Sequence, residues 1–396
     1  MHITLFASFV IIAAILLVGS HYYVYRRLIK SSVLPARLHR LLTIILLLLA
    51  GLIPGVFIAS RLIPREILGS VSLLAYFWLG TLFYLLIFLI TWDSVRGITW
   101  SVKKIRKKRQ TDTDKPSNET RRMFLQRVGA GACMMASTAV TGFGIRGAFA
   151  HPQTPEIPVR LKKLPPALSG FRIALLSDLH IGPVLDKDFL AAMVRKTNSL
   201  RPDLIAITGD LVDMPVEKLS DQIVVIKDLH APHGVFFTTG NHEYFFGAAQ
   251  WIEFIKSLGI KVLANELVTI GKGDTCFELA GIHDFSGGWF DPTLAPDPDK
   301  AMAQHDPKNE LVLLAHQPKQ IQHAVSHKVG LQLSGHTHGG QIWPFGLLTQ
   351  LDQPYLSGLH RHNETTQIFV TRGVGFWGPP MRVGAPSEIP VIVLSS

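Results

Sequence analysis

The sequence predicts two fold classes in one chain: an α-helical membrane region and, after it, an α/β domain. Three observations carry that prediction. Near-continuous apolar runs occupy 3 to 19, 41 to 59 and 71 to 91, each of membrane-spanning length. Beyond about residue 170 the pattern changes to short apolar runs alternating with helix-like stretches, which implies βαβ units. Each short run ends in polar residues, and the carboxyl ends of such strands are where α/β sheets build their sites.

The three apolar runs are read as three transmembrane helices in a membrane domain, 1 to 100, because three uncharged runs of this length rarely share one soluble core. The formal charge of +10 divides unevenly, with +14 on residues 1 to 150 and −4 on 151 to 396. The basic balance therefore belongs to membrane topology, and no nucleic-acid partner is expected. Positive residues cluster in "YRRLIKSSVLPARLHR" and "KKIRKKRQ", with only Arg61 and Arg65 between the second and third spans. The positive-inside rule then puts the N-terminus outside and makes 101 to 127 a basic cytoplasmic linker.

The stretch "TRRMFLQRVGAGACMMASTAVTGFGIRGAFAH" pairs two arginines with a moderately apolar, Gly- and Ala-rich segment ending in small residues. It resembles a twin-arginine export signal through Thr120, Arg121, Arg122, Phe124 and Leu125, although it is internal. Residues 128 to 150 are then a fourth span if uncut or a signal if cleaved after Ala150, and either would carry the rest of the chain across the membrane. An amphipathic linker on the cytoplasmic face is the competing reading. Cys133 and Cys276 lie too far apart in sequence and setting to suggest a disulfide.

A Pro-rich linker is expected over 151 to 169. After it, "FRIALLSDLH", "PDLIAITGDLVD", "HGVFFTTGNHEYF", "NELVLLAHQP" and "VGLQLSGHTHGG" read as buried strands, and "KDFLAAMVRKTNSL" and "VEKLSDQIVVIKDL" as the helices between the first three. The strand ends deliver Asp178 and His180, Asp210 and Asp213, Asn241 and His242, His316, then His336 and His338. One such pair is unspecific, but five strand ends carrying carboxylate, amide and imidazole groups point to a metal-dependent site.

The order D-x-H, GD-x-x-D, GNHE, a single His after a strand, and GHTH resembles the calcineurin-like metallophosphoesterase superfamily over about 170 to 396, in its membrane-associated bacterial branch. The resemblance implies a β-sandwich flanked by helices, with a dinuclear metal site at the strand ends and hydrolysis of a phosphate ester by a metal-bridging hydroxide. It implies Asp210 as the bridging carboxylate, Asp178, His180 and His338 around one ion, and Asn241, His316 and His336 around the other. Imidazole, carboxylate and amide donors without thiolate favour Mn, Fe or Zn over Ca. His242 is then the proton donor or transition-state stabiliser, and Asp213 and Glu243 orient ligand imidazoles. His283 and Asp284 either line the cleft or form an ordinary loop, and Arg372 either contacts substrate phosphate or forms a structural salt bridge. His305, His323, His327, His360 and His362 fit no motif and are expected at the surface.

The stretch "QIWPFGLLTQLDQPYLSGLHRHN" places Trp343, Phe345, Leu347, Leu348 and Tyr355 directly after GHTH. Either it packs as a core excursion or it forms an apolar lip for a lipid-linked or envelope phosphate ester, with Phe345 and Leu348 touching substrate. The expected location is the bacterial inner (cytoplasmic) membrane, multi-pass, with the catalytic domain extracytoplasmic and twin-arginine export machinery as a possible partner. Two alternatives stay open: a cytoplasmic-facing nucleotide-lipid pyrophosphatase, such as a UDP-diacylglucosamine hydrolase, and a non-catalytic metal-binding membrane receptor.

Overall fold

The computed structural model describes the backbone of residues 2–32, 34–59, 65–107 and 119–396. Side chains are described from residue 11 onward, apart from 57, 65–68, 70, 106–107 and 119–122. The twin arginines' side chains and residues 108–118 of the basic linker therefore lie outside the described residues. Two compact units result, Met1–Gly144 and Ile145–Ser396.

Among the described residues the first unit is built on α1 (His2–Val24), α2 (Ala36–Ala59), α3 (Arg65–Lys107) and most of α4 (Glu119–Ala148). Among the described residues three helical stretches are long and apolar enough to cross a membrane: Ala36–Val56, Val71–Ile105 and Met123–Ala148. The first apolar run forms α1, most of whose leading side chains lie outside the described residues. Polar groups inside this unit are matched to one another, as an apolar medium requires. Trp78 Nε1 donates to His21 Nε2 at 3.0 Å, and Asp93 accepts from Tyr23 and pairs with Arg27, both at 2.5 Å.

The second unit is a sandwich of two six-stranded mixed sheets. One has the order β1-β12-β2-β3-β4-β5, from β1 (Glu156–Arg160), β2 (Arg172–Leu176), β3 (Leu204–Thr208), β4 (Val235–Thr238), β5 (Lys261–Val262) and β12 (Val391–Ser395). The other runs β10-β11-β9-β8-β7-β6, from β6 (Glu266–Lys272), β7 (Thr275–Gly281), β8 (Glu310–Leu314), β9 (Leu331–Ser334), β10 (Gly358–Arg361) and β11 (Gln367–Val370). Strands β2 to β5 are parallel, as are β7, β8, β9 and β11. The five expected strands are β2, β3, β4, β8 and β9.

Side chains alternate across each strand, so a strand buried on both faces reads as a continuous apolar run. Ile173 and Leu175 enter the core between the sheets with Leu204, Phe277, Val312 and Leu333, while Ala174 and Leu176 face the helices on the outer side. Helix α5 (Lys187–Ser199) covers that outer side with Leu190, Met193, Val194 and Thr197, spaced to form one stripe. Asp186 caps it by accepting from the Asp188 and Phe189 N–H groups. Helices α6 (Val216–Ile223), α7 (Asn241–Phe245) and α8 (Ala248–Ser257) follow on the same side of the chain path.

The Pro-rich segment differs from the linker expected of it. Residues 156 to 160 form β1, which pairs in parallel with β12 and buries Val159 between the sheets. Proline is tolerated because β1 is an edge strand. The segment's partner lies more than two hundred residues away, beyond the reach of a local pattern.

Candidate metal centre

Every sequence-predicted ligand stands two to four residues past the end of a strand: Asp178 and His180 after β2, Asp210 after β3, Asn241 after β4, His316 after β8, and His336 and His338 after β9. Parallel strands present these ends at one rim of the sandwich. The chain must turn sharply there, and it does so at a conformational cost. Asp178, His180, Asp210, His336 and His338 all have φ between 49° and 71°, in the left-handed region. For residues other than glycine this costs roughly 1 kcal/mol each. Strain concentrated on five candidate ligands marks a site held by the surrounding fold.

Neighbouring glycines make the approach possible. A Cβ on Gly240 would strike Asp210, and one on Gly209 would strike the Gly240 backbone. A Cβ on Gly335 would collide with Ser177 and Asp178, which explains why glycine precedes the His-x-His pair. The GD loop therefore interlocks with the GNH loop, and the GHTH loop with the D-x-H loop, through close approaches that only glycine permits.

Three overlapping clusters result: Asp178, His180 and His338; His180, Asp210 and His242; and Asp210, His316 and His336. Asp210 joins the second to the third, its Oδ2 3.2 Å from His316 Nε2, 3.8 Å from His180 Nε2 and 4.0 Å from His242 Nε2, and His180 joins the first to the second. His338 Nε2 lies 3.4 Å from Asp178 Oδ1 and 3.1 Å from His180 Nε2.

Tautomers follow from the outer partners. His316 Nδ1 donates to the Thr208 carbonyl at 2.6 Å, which leaves a lone pair on Nε2 facing a carboxylate oxygen. Two lone-pair atoms so close need a cation between them, whether a proton or a metal ion. His180 Nδ1 donates to Asp213 Oδ1 at 2.8 Å, which leaves its Nε2 lone pair facing His338 Nε2 at 3.1 Å. Asn241 Oδ1 and His316 Nε2 are buried without a hydrogen-bond partner. Buried polar atoms are normally satisfied, so these orphans, with no thiolate nearby, fit oxygen- and nitrogen-liganded divalent metals.

Electrostatics agree with this reading. Burial raises Asp178, whereas His316 and His242 outweigh burial at Asp210 and hold it well below the carboxylate range. Burial pushes His336 down to about 3 and lowers His338 as well, which keeps both imidazoles neutral, as ligation requires. At His242 burial is overcome by Asp210 and Asp213, which raise it to about 9.

Asp213 and Glu243 play different parts. Asp213 Oδ1 accepts from His180 at 2.8 Å and from His242 at 2.7 Å, orienting a candidate ligand and the candidate proton donor together. Despite burial, these two imidazoles hold its carboxyl down to about 2. Glu243, expected to orient an imidazole, accepts instead from the backbone N–H groups of Gly240, Asp210 and Leu211 at 2.6 to 3.0 Å. It ties the GD loop to the GNH loop.

Arg372 forms the salt bridge rather than an open phosphate contact. Its Nε donates to Glu388 at 3.0 Å and its Nη2 to Gln153 at 3.2 Å. His283 and Asp284 lie in the loop after β7 and are both buried. Tyr244 Oη hydrogen-bonds His283 Nδ1 at 2.6 Å, and Asp284 accepts from Gln317, the residue after His316, at 3.0 Å. Of the histidines expected at the surface, His305 is instead half-buried against Glu278 and His360 stacks on Tyr355.

Sequence reasoning missed Arg382. Its buried guanidinium donates to the carbonyls of Arg372, Gly373, Gly375 and Ala385 and reaches 3.4 Å from His338 Nδ1. It binds the closing segment to the GHTH loop, and nothing in "GPPMRVGAPSEIP" alone signals that partner.

A sandwich of mixed sheets with an Asp/His/Asn cluster at its strand ends defines a metal-dependent hydrolase. Residues 171–340 match the family model described as calcineurin-like phosphoesterase. A metallophosphoesterase of Helicobacter pylori is 42% identical over 63% of this chain and 67% of its own length. A transmembrane protein with metallophosphoesterase domain from Danio rerio is 31% identical, covering 97% of this chain and 88% of its own. A metallophosphoesterase of Campylobacter jejuni is 31% identical, covering 98% of this chain and 99% of its own. The chain belongs to the calcineurin-like metallophosphoesterases and is a metal-dependent phosphoesterase hydrolase.

Replacing Asp213 by Ala frees two imidazoles at once. Metal affinity should fall about 10- to 100-fold, the usual effect of removing an orienting partner, as read by competition with a chelator. Unchanged affinity would mean that the two imidazoles are positioned by packing alone.

Proposed function

We propose that this chain is a membrane-anchored phosphohydrolase that uses two divalent ions to cleave a lipid-linked or envelope phosphate ester. The observation that carries the reading is Asp210 Oδ2, set among three imidazoles beside the orphaned Asn241 Oδ1 and His316 Nε2. Asp178, His180 and His338 would hold one ion, Asn241, His316 and His336 the other, with Asp210 between them. Mn, Fe or Zn suits this donor set. When bound, such ions neutralise phosphoryl oxygens and acidify a water enough to attack at neutral pH.

The protein's own contribution is placement and proton supply. His242 carries a proton at neutral pH because Asp210 and Asp213 hold it there, so it can protonate the leaving oxygen. Asp213 fixes its ring through Nδ1 and leaves Nε2 to face the reacting groups. The apolar stretch after GHTH supports the lipid substrate: Leu348 is 59% and Phe345 36% exposed, unlike a core excursion. The charge asymmetry and the apolar 26-residue stretch Met123–Ala148 support a multi-pass protein of the bacterial cytoplasmic membrane with its catalytic domain extracytoplasmic. The twin-arginine-like pattern supports delivery by the corresponding export machinery.

Three measurements check this reading. Asp210→Asn should remove most bound metal and nearly all hydrolysis of bis-p-nitrophenyl phosphate, whereas His242→Ala should keep the metal and slow turnover roughly 100- to 10,000-fold. Metal loss in the His242 variant would remove that residue's assignment as proton donor. Joint replacement of Phe345 and Leu348 by Ser should weaken hydrolysis of lipid phosphates in vesicles and spare soluble p-nitrophenyl esters, and equal loss on both would assign these side chains to the fold. An alkaline phosphatase fused at the C-terminus should be active, and activity only of a cytoplasmic reporter there would reverse the orientation.

A further inference from the structure

Two apolar rims from different parts of the chain adjoin the Asp/His cluster. One is the segment 341 to 351, "QIWPFGLLTQL", which contains no charged residue and exposes Trp343, Leu347, Leu348 and Leu351. The other is 285 to 290, "FSGGWF", also uncharged, which exposes Phe285, Trp289 and Phe290. Phe245 joins the second rim to the centre, its ring 5.3 Å from His242 and 5.5 Å from Phe290. Lys319, three residues after His316, links the rims: its Nζ lies 4.4 Å from the Phe285 ring centre and 3.0 Å from Asp352. Large side chains left in water on two separate segments around one opening exceed the scattered apolar exposure of an ordinary surface.

The first rim is also continuous with the point where the chain leaves the membrane-spanning helix. The last residues of α4 belong to the catalytic unit, where Ala148 enters the core. Phe149 packs edge-on against Phe376 at 5.5 Å, and Gly147 lies so close to the Arg382 carbonyl that a Cβ would approach it to 2.7 Å. The segment that receives this helix end, 376 to 384, in turn holds the rim. Gln341 Nε2 donates to the Trp377 carbonyl at 2.9 Å, and Trp343 N–H to the Val383 carbonyl at 2.9 Å. Trp377 and Phe149 are themselves about half exposed. An apolar surface thus runs from the end of a membrane-spanning stretch to the mouth of the site, with tryptophans of the kind that settle at lipid headgroups.

We propose that the catalytic domain docks on the bilayer surface through these two rims, so that the metal centre faces the headgroup layer. Trp343, Leu347 and Leu348 enter the interface on one side of the opening, and Trp289 and Phe290 on the other. Burial of such side chains at the headgroup–acyl boundary removes their apolar surface from water and is favourable. The inference rests on membrane association and not on which ester is cleaved.

The test uses the full chain with Cys133 and Cys276 changed to Ala, carrying one new cysteine at Leu347→Cys, Trp289→Cys or Asp274→Cys and labelled with the environment-sensitive dye NBD. Asp274 is exposed in the turn between β6 and β7, at the start of β7 and so at the strand ends opposite the site. Each protein is placed in phosphatidylcholine–phosphatidylglycerol nanodiscs with or without a lipid spin-labelled near its headgroup. A melting temperature matching the unlabelled parent establishes that each variant is folded. Spin-labelled lipid should quench roughly half the emission at 347 and 289 and leave 274 unchanged, the pattern of an interfacial face. Quenching at 347 and 289 no greater than at 274 overturns the proposal. So does protection of 347 that appears only as protein concentration rises, which would assign the rims to a second copy of the chain. Neither result bears on hydrolysis of soluble esters, so the phosphohydrolase reading stands or falls separately.

Discussion

The lone-pair contact between His316 Nε2 and Asp210 Oδ2, 3.2 Å apart in the protein interior, sets the terms for the rest of the site. His316 is committed by its Nδ1 donation to Thr208, and Asp210 by the backbone N–H of His242, which donates to Oδ1 at 2.9 Å. Neither side chain can turn away. A positive charge between them, a proton or a metal ion, is the remaining solution.

Holding that arrangement is costly, and the sandwich supplies the means. Five left-handed residues together represent several kcal/mol of local strain by ordinary magnitudes. Against it stand the two-faced burial of β2, β3, β8 and β9, three backbone hydrogen bonds to Glu243, and the buried fan of Arg382 donations. The outer groups are as specific as the ligands. Glu243 joins two loops that each supply ligands, and Asp213 couples the ring of His180 to that of His242. Orientation of a candidate ligand and of the candidate proton donor thus shares one carboxylate.

The membrane unit follows the same logic in a different solvent. Among its described residues Asp93 is satisfied by Tyr23 and Arg27, the kind of internal match that polar groups need where water is scarce. In the catalytic unit apolar groups meet the opposite situation: the rims leave large side chains in water at the mouth of the site. A surface of that kind is disfavoured unless something apolar covers it.

The sequence by itself placed the polar residues at the strand ends and the long apolar helical stretches. Both are written locally: an apolar run of a given length, or a polar residue two to four places past a buried strand. Asp178, Asp210, Asn241, His316 and the His-x-His pair were legible for that reason. Only the tertiary structure decided matters that depend on which strand lies beside which. It made 156 to 160 an edge strand through pairing with residues more than two hundred places away. It assigned Arg372 to Glu388, Glu243 to the backbone and Arg382 to the GHTH loop, and it set 285 to 290 opposite 341 to 351. A side chain's identity fixes what it can bond, but its partner is chosen by sheet order, which no local pattern encodes.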